Sequence, residues 1–269
     1  MSHSAQDPYL ITPPSSLQIL SNPPTRLFAL GNSALLDSQC KVAIIGTRKP
    51  NTYAQTYTTL LAKSLVNIGV IIISGGALGT DIIAHSAALP KTICVLPTSL
   101  DRFYPASNAK TIQAITKQGL LLSEHEHNHS PQRHDFLHRN RLIVALSDLV
   151  IIPQADRFSG SLASATLCTK LGKPMFVLSH RIGESLGTQD LLAQERAHII
   201  TDIEAFTQAI ATRFGLGTQE VLQDDELLDF ARSNPSFEEA FACFGERVLE
   251  YELMGKITRK NGRIIISEV

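Results

Sequence analysis

Nothing in this chain is apolar for long enough to cross a membrane, and Met1 to Pro8 has no basic region leading into an apolar one. Neither a membrane span nor a secretory leader is expected, and the expected compartment is the cytoplasm. Cysteine is scarce and scattered. Cys40, Cys94, Cys168 and Cys243 form no C-x-x-C and no zinc spacing. That excludes a disulfide framework and leaves reduced, mostly structural thiols. There is no internal repeat. Net charge is almost absent too, at −1, but the sum conceals a split. Residues 1–215 hold 18 Lys and Arg against 14 Asp and Glu, and residues 216–269 hold 6 against 11. A mildly basic large part precedes an acidic tail, so the placement of the arginines has to identify any polyanion site.

What the sequence does have is an apolar fraction of 43% over 269 residues, enough for one full α/β domain and a small second one. Short β-branched runs alternate with helical stretches. Strands are expected at 41–46, 70–74, 92–96, 120–123, 149–152 and 174–178, and helices at 52–68, 82–89, 106–117, 136–146, 159–171 and 202–214. This predicts a Rossmann-like, doubly wound, mostly parallel α/β sheet over 41–215. Residues 1–40, with Pro13-Pro14 and Pro23-Pro24, read as a lead-in segment wrapping that domain. Gly215-Leu216-Gly217 reads as a hinge. Beyond it, helices at 219–232, 236–243 and 245–254 and an Asn261-Gly262 hairpin predict a winged-helix-like C-terminal domain over 217–269.

The chain is organised around Ser74-Gly75-Gly76-Ala77-Leu78-Gly79-Thr80-Asp81, between a buried strand and a helix. Strand, glycine turn and helix present an anion site in a parallel sheet, with backbone N–H groups close to the ligand. The spacing matches neither G-x-G-x-x-G nor the P-loop, and a tight turn with no ligand fits equally. Arg48 follows the first strand and faces the crevice at the strands' carboxyl ends, unless it is a solvated surface arginine. Arg133, His134, Phe136, Arg139, Asn140 and Arg141 combine charge with a ring, as single-stranded nucleic acid sites do. The alternative is ordinary helix charge with Phe136 in the core. Ser159, Gly160 and Ser161 open a helix, offering a second anion site, simple N-capping, or both.

Two further groups lack the partners that a site needs. Glu124-His125-Glu126-His127-Asn128-His129 invites a metal, because alternate histidines of an extended segment share one side, and His134 and His138 are four apart. No cysteine pair and no H-E-x-x-H completes a metal frame, so the segment reads as a polar loop, and neither a metal nor another cofactor is expected. Asp81 and His85 share a helix face, as an acid/base pair would. No nucleophile elbow accompanies that turn and no second carboxylate stands in the Ser159 helix. They read as turn and pocket wall, and no catalytic residue is assigned.

Taken in order, seven segments resemble the bacterial DNA-processing protein family, DprA, also called Smf. They are Ile44-Ile-Gly-Thr-Arg48, Ser74 to Asp81 with His85, Val95 to Pro105 with Asn108, Leu121-Leu-Ser-Glu124, Phe136-Leu-His-Arg-Asn-Arg141, Ser159-Gly-Ser161 and Ser185-Leu-Gly187. The resemblance implies a homodimer that binds single-stranded DNA, protects it on arrival and loads the recombinase RecA onto it in natural transformation. Arg48, the 74–81 loop, the Arg133–Arg141 stretch and Ser159 to Ser161 would line one positive pocket, with Phe136 stacking a base. Three departures bear on the pocket chemistry: Gln154 stands where the family usually has an acidic residue, Gln189 where Asn is common, and no N-terminal helical domain fits into residues 1–40. The reading is a non-enzymatic mediator. The competing reading is a nucleotide-binding or nucleotide-hydrolysing enzyme of the lysine-decarboxylase-like group, whose Pro-Gly-Gly-x-Gly-Thr motif and following Glu have no match in Pro153 to Lys170. A small-nucleotide sensor is a third.

Overall fold

The computed structural model describes residues 7–217, 226–253 and 255–266, in two compact units, Met1–Thr218 and Gln219–Val269. In the first unit β1 (Tyr9–Ile11), β2 (Leu27–Gly31), β3 (Lys41–Ile44), β4 (Ile71–Gly75), β5 (Thr92–Val95), β6 (Leu120–Ser123), β7 (Leu149–Ile152), β8 (Met175–Leu178) and β9 (His198–Ile200) form one sheet. Its spatial order is β1-β2-β6-β5-β4-β3-β7-β8-β9. Every pairing from β6 through β9 is parallel, and β2 on β6 and β1 on β2 are antiparallel. Seven helices cover it: α1 (Thr52–Asn67), α2 (Thr80–Ala88), α3 (Ala109–Gln118), α4 (Arg133–Leu146), α5 (Gly160–Lys170), α6 (Leu186–Ala193) and α7 (Ile203–Phe214).

The β-branched runs are buried on both faces because successive side chains point to opposite sides of the sheet. Ile71, Ile73 and Val150 pack with Leu142, Ile143 and Leu146 of α4. Val70, Ile72 and Leu149 pack with Leu61 and Leu65 of α1 and Ile210 of α7. From β3 the chain steps outward through β4, β5 and β6, then returns to lay β7 on the other side of β3. The loops leaving β3 and β7 therefore diverge to opposite faces, which opens a crevice at the strands' carboxyl ends.

The lead-in is part of this unit. It supplies β1 and β2, and Leu17, Leu20, Leu27 and Ala29 sit in the core. Its prolines suggest a wrapping segment, but β2, which has no β-branched residue, becomes a strand through its pairing with β6. The edge strand β9, three residues long, also lacks a readable pattern. Cys40, Cys94 and Cys168 are buried and Cys243 is exposed, all as free thiols. Burial pushes Cys94 up to about 12, as befits an inert thiol.

The second unit holds α8 (Glu226–Ala231), α9 (Phe237–Phe244), α10 (Arg247–Leu253), β10 (Ile257–Lys260) and β11 (Arg263–Ile266). Leu227, Ala240, Val248, Tyr251, Ile257 and Ile264 form its core. Asn261 and Gly262 both have positive φ, 51° and 74°, as a two-residue hairpin requires. Of the expected helix at 219–232 the structure describes α8, Glu226–Ala231, and the part before it lies outside the described residues. No helix among the described residues is long and apolar enough to cross a membrane.

His85 fastens α2 to β4 and β5. Its Nε2 donates to the Gly75 carbonyl at 2.8 Å, and its Nδ1 lies 2.7 Å from Thr92 Oγ1. Burial drives it down from 6.5 to about 4, so it stays neutral. The unfolded chain then binds this proton more readily. The stability His85 contributes is complete above pH 6.5 and is lost as the pH falls through about 4. Denaturant unfolding of the wild type and His85→Gln across that range is expected to show the variant less stable at pH 7 but with a flatter decline toward pH 4.

Candidate nucleic-acid interface

The crevice is an open cleft of about 720 Å³. Five segments meet there: Ile45 to Arg48 after β3, Ala77 and Asp81 around the start of α2, Tyr104 between β5 and α3, the first two turns of α4, and residues from Phe158 to Ser164 at the start of α5. Arg48 is exposed, and its guanidinium carbon lies 5.4 Å from the centre of the Phe136 ring. Tyr104 meets that ring edge-on at 5.8 Å. Phe136 is half-buried, so it is a cleft wall and not a core residue. Arg133 is exposed on the rim. Neither Arg48 nor Arg133 forms an ion pair with a carboxylate among the described residues.

Helical periodicity divides the block that the sequence offers as one. Arg133, Phe136, Leu137 and Asn140 share one stripe of α4 and face the cleft. His134, His138 and Arg141 share another stripe and turn away. Arg141 is spent on Glu124, at 2.5 Å, and His134 stands beside Asp135, so neither lines the cleft. Arg139 reaches the cleft floor but is only 5% exposed. It donates to the Val95 carbonyl and lies against Gly75.

The glycine turn serves the protein's own packing. A Cβ on Gly75 would overlap the Arg139 guanidinium, and one on Gly76 would lie 2.8 Å from Leu96 Cδ2. Gly79 has φ +77°, and a Cβ there would sit 2.5 Å from the Thr47 carbonyl oxygen. Ser74 is buried, its hydroxyl donating to Ile44 O at 2.5 Å. Thus Ser74, Gly75, Gly76 and Gly79 are absent from the cleft lining, contrary to expectation, and Ala77 and Asp81 occupy it. The sequence shows that something approaches the glycines, but not that the visitor is Arg139.

Asp81 is buried, and desolvation pushes it up to about 6, held in check by Arg139 and a backbone hydrogen bond from Ala77. Ser159, Gly160 and Ser161 all line the cleft, as expected. The N-capping reading holds in position only: Ser159 is the N-cap residue, but its shielded hydroxyl bonds to nothing among the described residues. The first turn of α5 therefore points its N–H groups at the cleft without a side-chain cap. Sequence reasoning missed Phe158 and Tyr104. Phe158 is fully exposed at φ +60°, beside the Ser159 turn, and only an aromatic next to that motif could have marked it.

The two glutamines among the departures hold loops. Gln154 Oε1 accepts from Asn51 N at 2.9 Å, as a carboxylate would without its charge, and Gln189 Nε2 donates to Arg181 O at 2.7 Å. Gly183-Glu184-Ser185-Leu186-Gly187 spells a nucleophile elbow, and Ser185 has φ +50° between β8 and α6. Its hydroxyl is buried, accepts from Ala155 N at 3.0 Å and touches Thr188, with no histidine on it, so it is a clamp. The histidine loop is folded and not extended. His125 and His129 stack, while His127 points to Asp101, so the three do not share a side.

Residues 10–211 match the family profile described as DNA recombination-mediator protein A. The chain belongs to this family. It is 34% identical over 203 residues to protein Smf of Synechocystis and 35% identical over 168 residues to DNA processing protein DprA of Bacillus subtilis, covering 71% and 61% of this chain and 51% and 57% of theirs. The chain thus spans about half the length of these curated relatives. The solved Helicobacter pylori DNA processing protein A, described for its single-stranded DNA binding mode, superposes with TM-score 0.76 at 48% identity, covering 77% of this chain and 96% of that one. DprA of Streptococcus pneumoniae superposes with TM-score 0.67 at 33% identity, covering 71% and 68%. The matched profile is described as that of a recombination mediator.

The turn makes a sharp prediction. Gly79→Ala places a side chain on two backbone oxygens as well as in a strained conformation, whereas Gly172, at φ +63°, has open space around it. Gly172→Ala is expected to lower the unfolding free energy by about 1–2 kcal/mol, and Gly79→Ala by more than about 3 kcal/mol. Urea unfolding of both variants checks the difference.

Proposed function

We propose that this chain binds single-stranded DNA in the cleft at the carboxyl ends of β3, β4 and β7, protects incoming DNA, and as a homodimer loads RecA onto it in cytoplasmic natural transformation. One observation carries the DNA reading: two arginines without ion pairs among the described residues, Arg48 and Arg133, share a cleft with a half-exposed aromatic ring and an uncapped helix start. Arginines and N–H groups take phosphates, and a ring takes a base without reading its identity. RecA loading and dimerisation rest on family membership. Arg139 acts from below, by holding the cleft floor. His134 and Arg141 are not assigned to the DNA. The second unit reads as the winged-helix-like module. Its α10 carries Glu250 and Glu252 against Arg247, so phosphates would repel it, and protein contacts suit it better than duplex DNA.

Anisotropy titrations of an oligo-dT over a salt series test this. Arg48→Ala and Arg133→Ala are each expected to lower the salt slope by roughly 0.7. Arg141→Ala should leave it unchanged, and Phe136→Ala should weaken binding by about 1–3 kcal/mol with the fold intact. Unchanged slopes in folded Arg48→Ala and Arg133→Ala would remove the cleft from the DNA path. Because Asp81 loses its charge as the pH falls through about 6, affinity should rise on acidification from pH 7, and Asp81→Asn should abolish that rise.

A further inference from the structure

The histidine-rich loop and the first turn of α4 converge on one carboxylate outside the DNA cleft. Asp135 is 4% exposed. His129 Nε2 lies 2.8 Å from its Oδ2, His134 Nε2 3.2 Å from its Oδ1, and His125 Nε2 3.9 Å from its Oδ1. One ligand atom from each of His125, His129 and Asp135 falls within 4.8 Å of the others. Helix capping accounts for part of this, since Asp135 accepts from Gln132 N at 2.7 Å. It does not account for His125. Neither ring nitrogen of His125 hydrogen-bonds to a described residue, and the ring lies flat on His129, centroids 3.7 Å apart and planes 2° from parallel.

We propose that His125, His129 and Asp135 bind a divalent first-row transition metal of the zinc and cobalt class, with water completing the shell. Two imidazoles and one carboxylate are a donor set for such ions and a poor one for Mg²⁺ or Ca²⁺, which take oxygen. A bound metal lies in the plane of each imidazole, so binding turns one ring out of the parallel stack and draws the three ligand atoms together. The path in is open, because His125 also borders a hollow of about 280 Å³ that it shares with Asp101 and His127. The metal would staple residues 125–129 to the start of α4. The proposal does not rest on the DNA reading.

The test is a Co²⁺ titration of the full chain, followed by visible ligand-field absorption and competition with Zn²⁺. One cobalt per chain is expected, displaced by zinc. His129→Ala and Asp135→Asn should each weaken it about tenfold or more, with apo circular dichroism and melting showing that the variants fold. His127→Ala, whose ring is on Asp101, and His138→Ala, whose ring is on Glu124, should bind as the wild type does. Absence of cobalt absorption at about 100 µM metal, far above the affinities of protein zinc sites, would overturn the site. So would binding that survives the double variant His125→Ala/His129→Ala, or that falls equally in His127→Ala and His138→Ala.

Discussion

A guanidinium almost without water holds the switch point of this sheet together. Arg139 reaches from α4 to the ends of β4 and β5, gives a hydrogen bond to the Val95 carbonyl and fills the space that a side chain on Gly75 would need. Its Nε has no partner among the described residues, and Asp81 is its electrostatic counterweight. Each buried charge offsets part of the desolvation cost of the other. The same contact sets the rotation of α4. With Arg139 turned down, Arg133, Phe136 and Asn140 are aimed into the cleft.

One helix thus serves three environments. Its last turns, Leu142 to Leu146, are sealed in the core. One stripe of its first turns lines the cleft. The other stripe, with the buried Asp135, faces the histidine loop and Glu124. Charges on these stripes differ in worth. Arg48 and Arg133 form no ion pair with a carboxylate among the described residues, although Asp81 on the cleft floor offsets part of the charge of Arg48, whereas Arg141 is paired with Glu124.

On the proposed reading the cleft serves as an anion site without a phosphate loop. In a P-loop the glycines surround the ligand. Here they let side chain and backbone of the protein pack against the turn, and the uncapped start of α5 supplies the open N–H groups. Asp81, kept high by burial, leaves a negative charge on the floor near neutral pH. The acid turn and the basic rim oppose each other, so charge in this cleft depends on pH.

The parallel sheet and its helices were legible because burial on both faces imposes β-branched runs and helix periodicity, and these survive in a single sequence. The Asn261-Gly262 hairpin was legible because only such residues accept positive φ in succession. Order of motifs was enough to place the family. The sequence did not determine which of the clustered basic residues meet a ligand: Arg139, Arg141 and Arg133 look alike in one dimension, and only the rotation of α4 and the presence of Glu124 and Gly75 separate them. Nor did it reveal that 27–31 is a strand, since edge pairing with β6 makes it one. The histidines are the plainest case. Alternate spacing predicted one shared side of an extended chain, but a turn through Asn128, at φ 66°, brings His125 onto His129 and both onto a carboxylate of a different element. That convergence is a long-range fact, created by the path of the chain and absent from any local pattern.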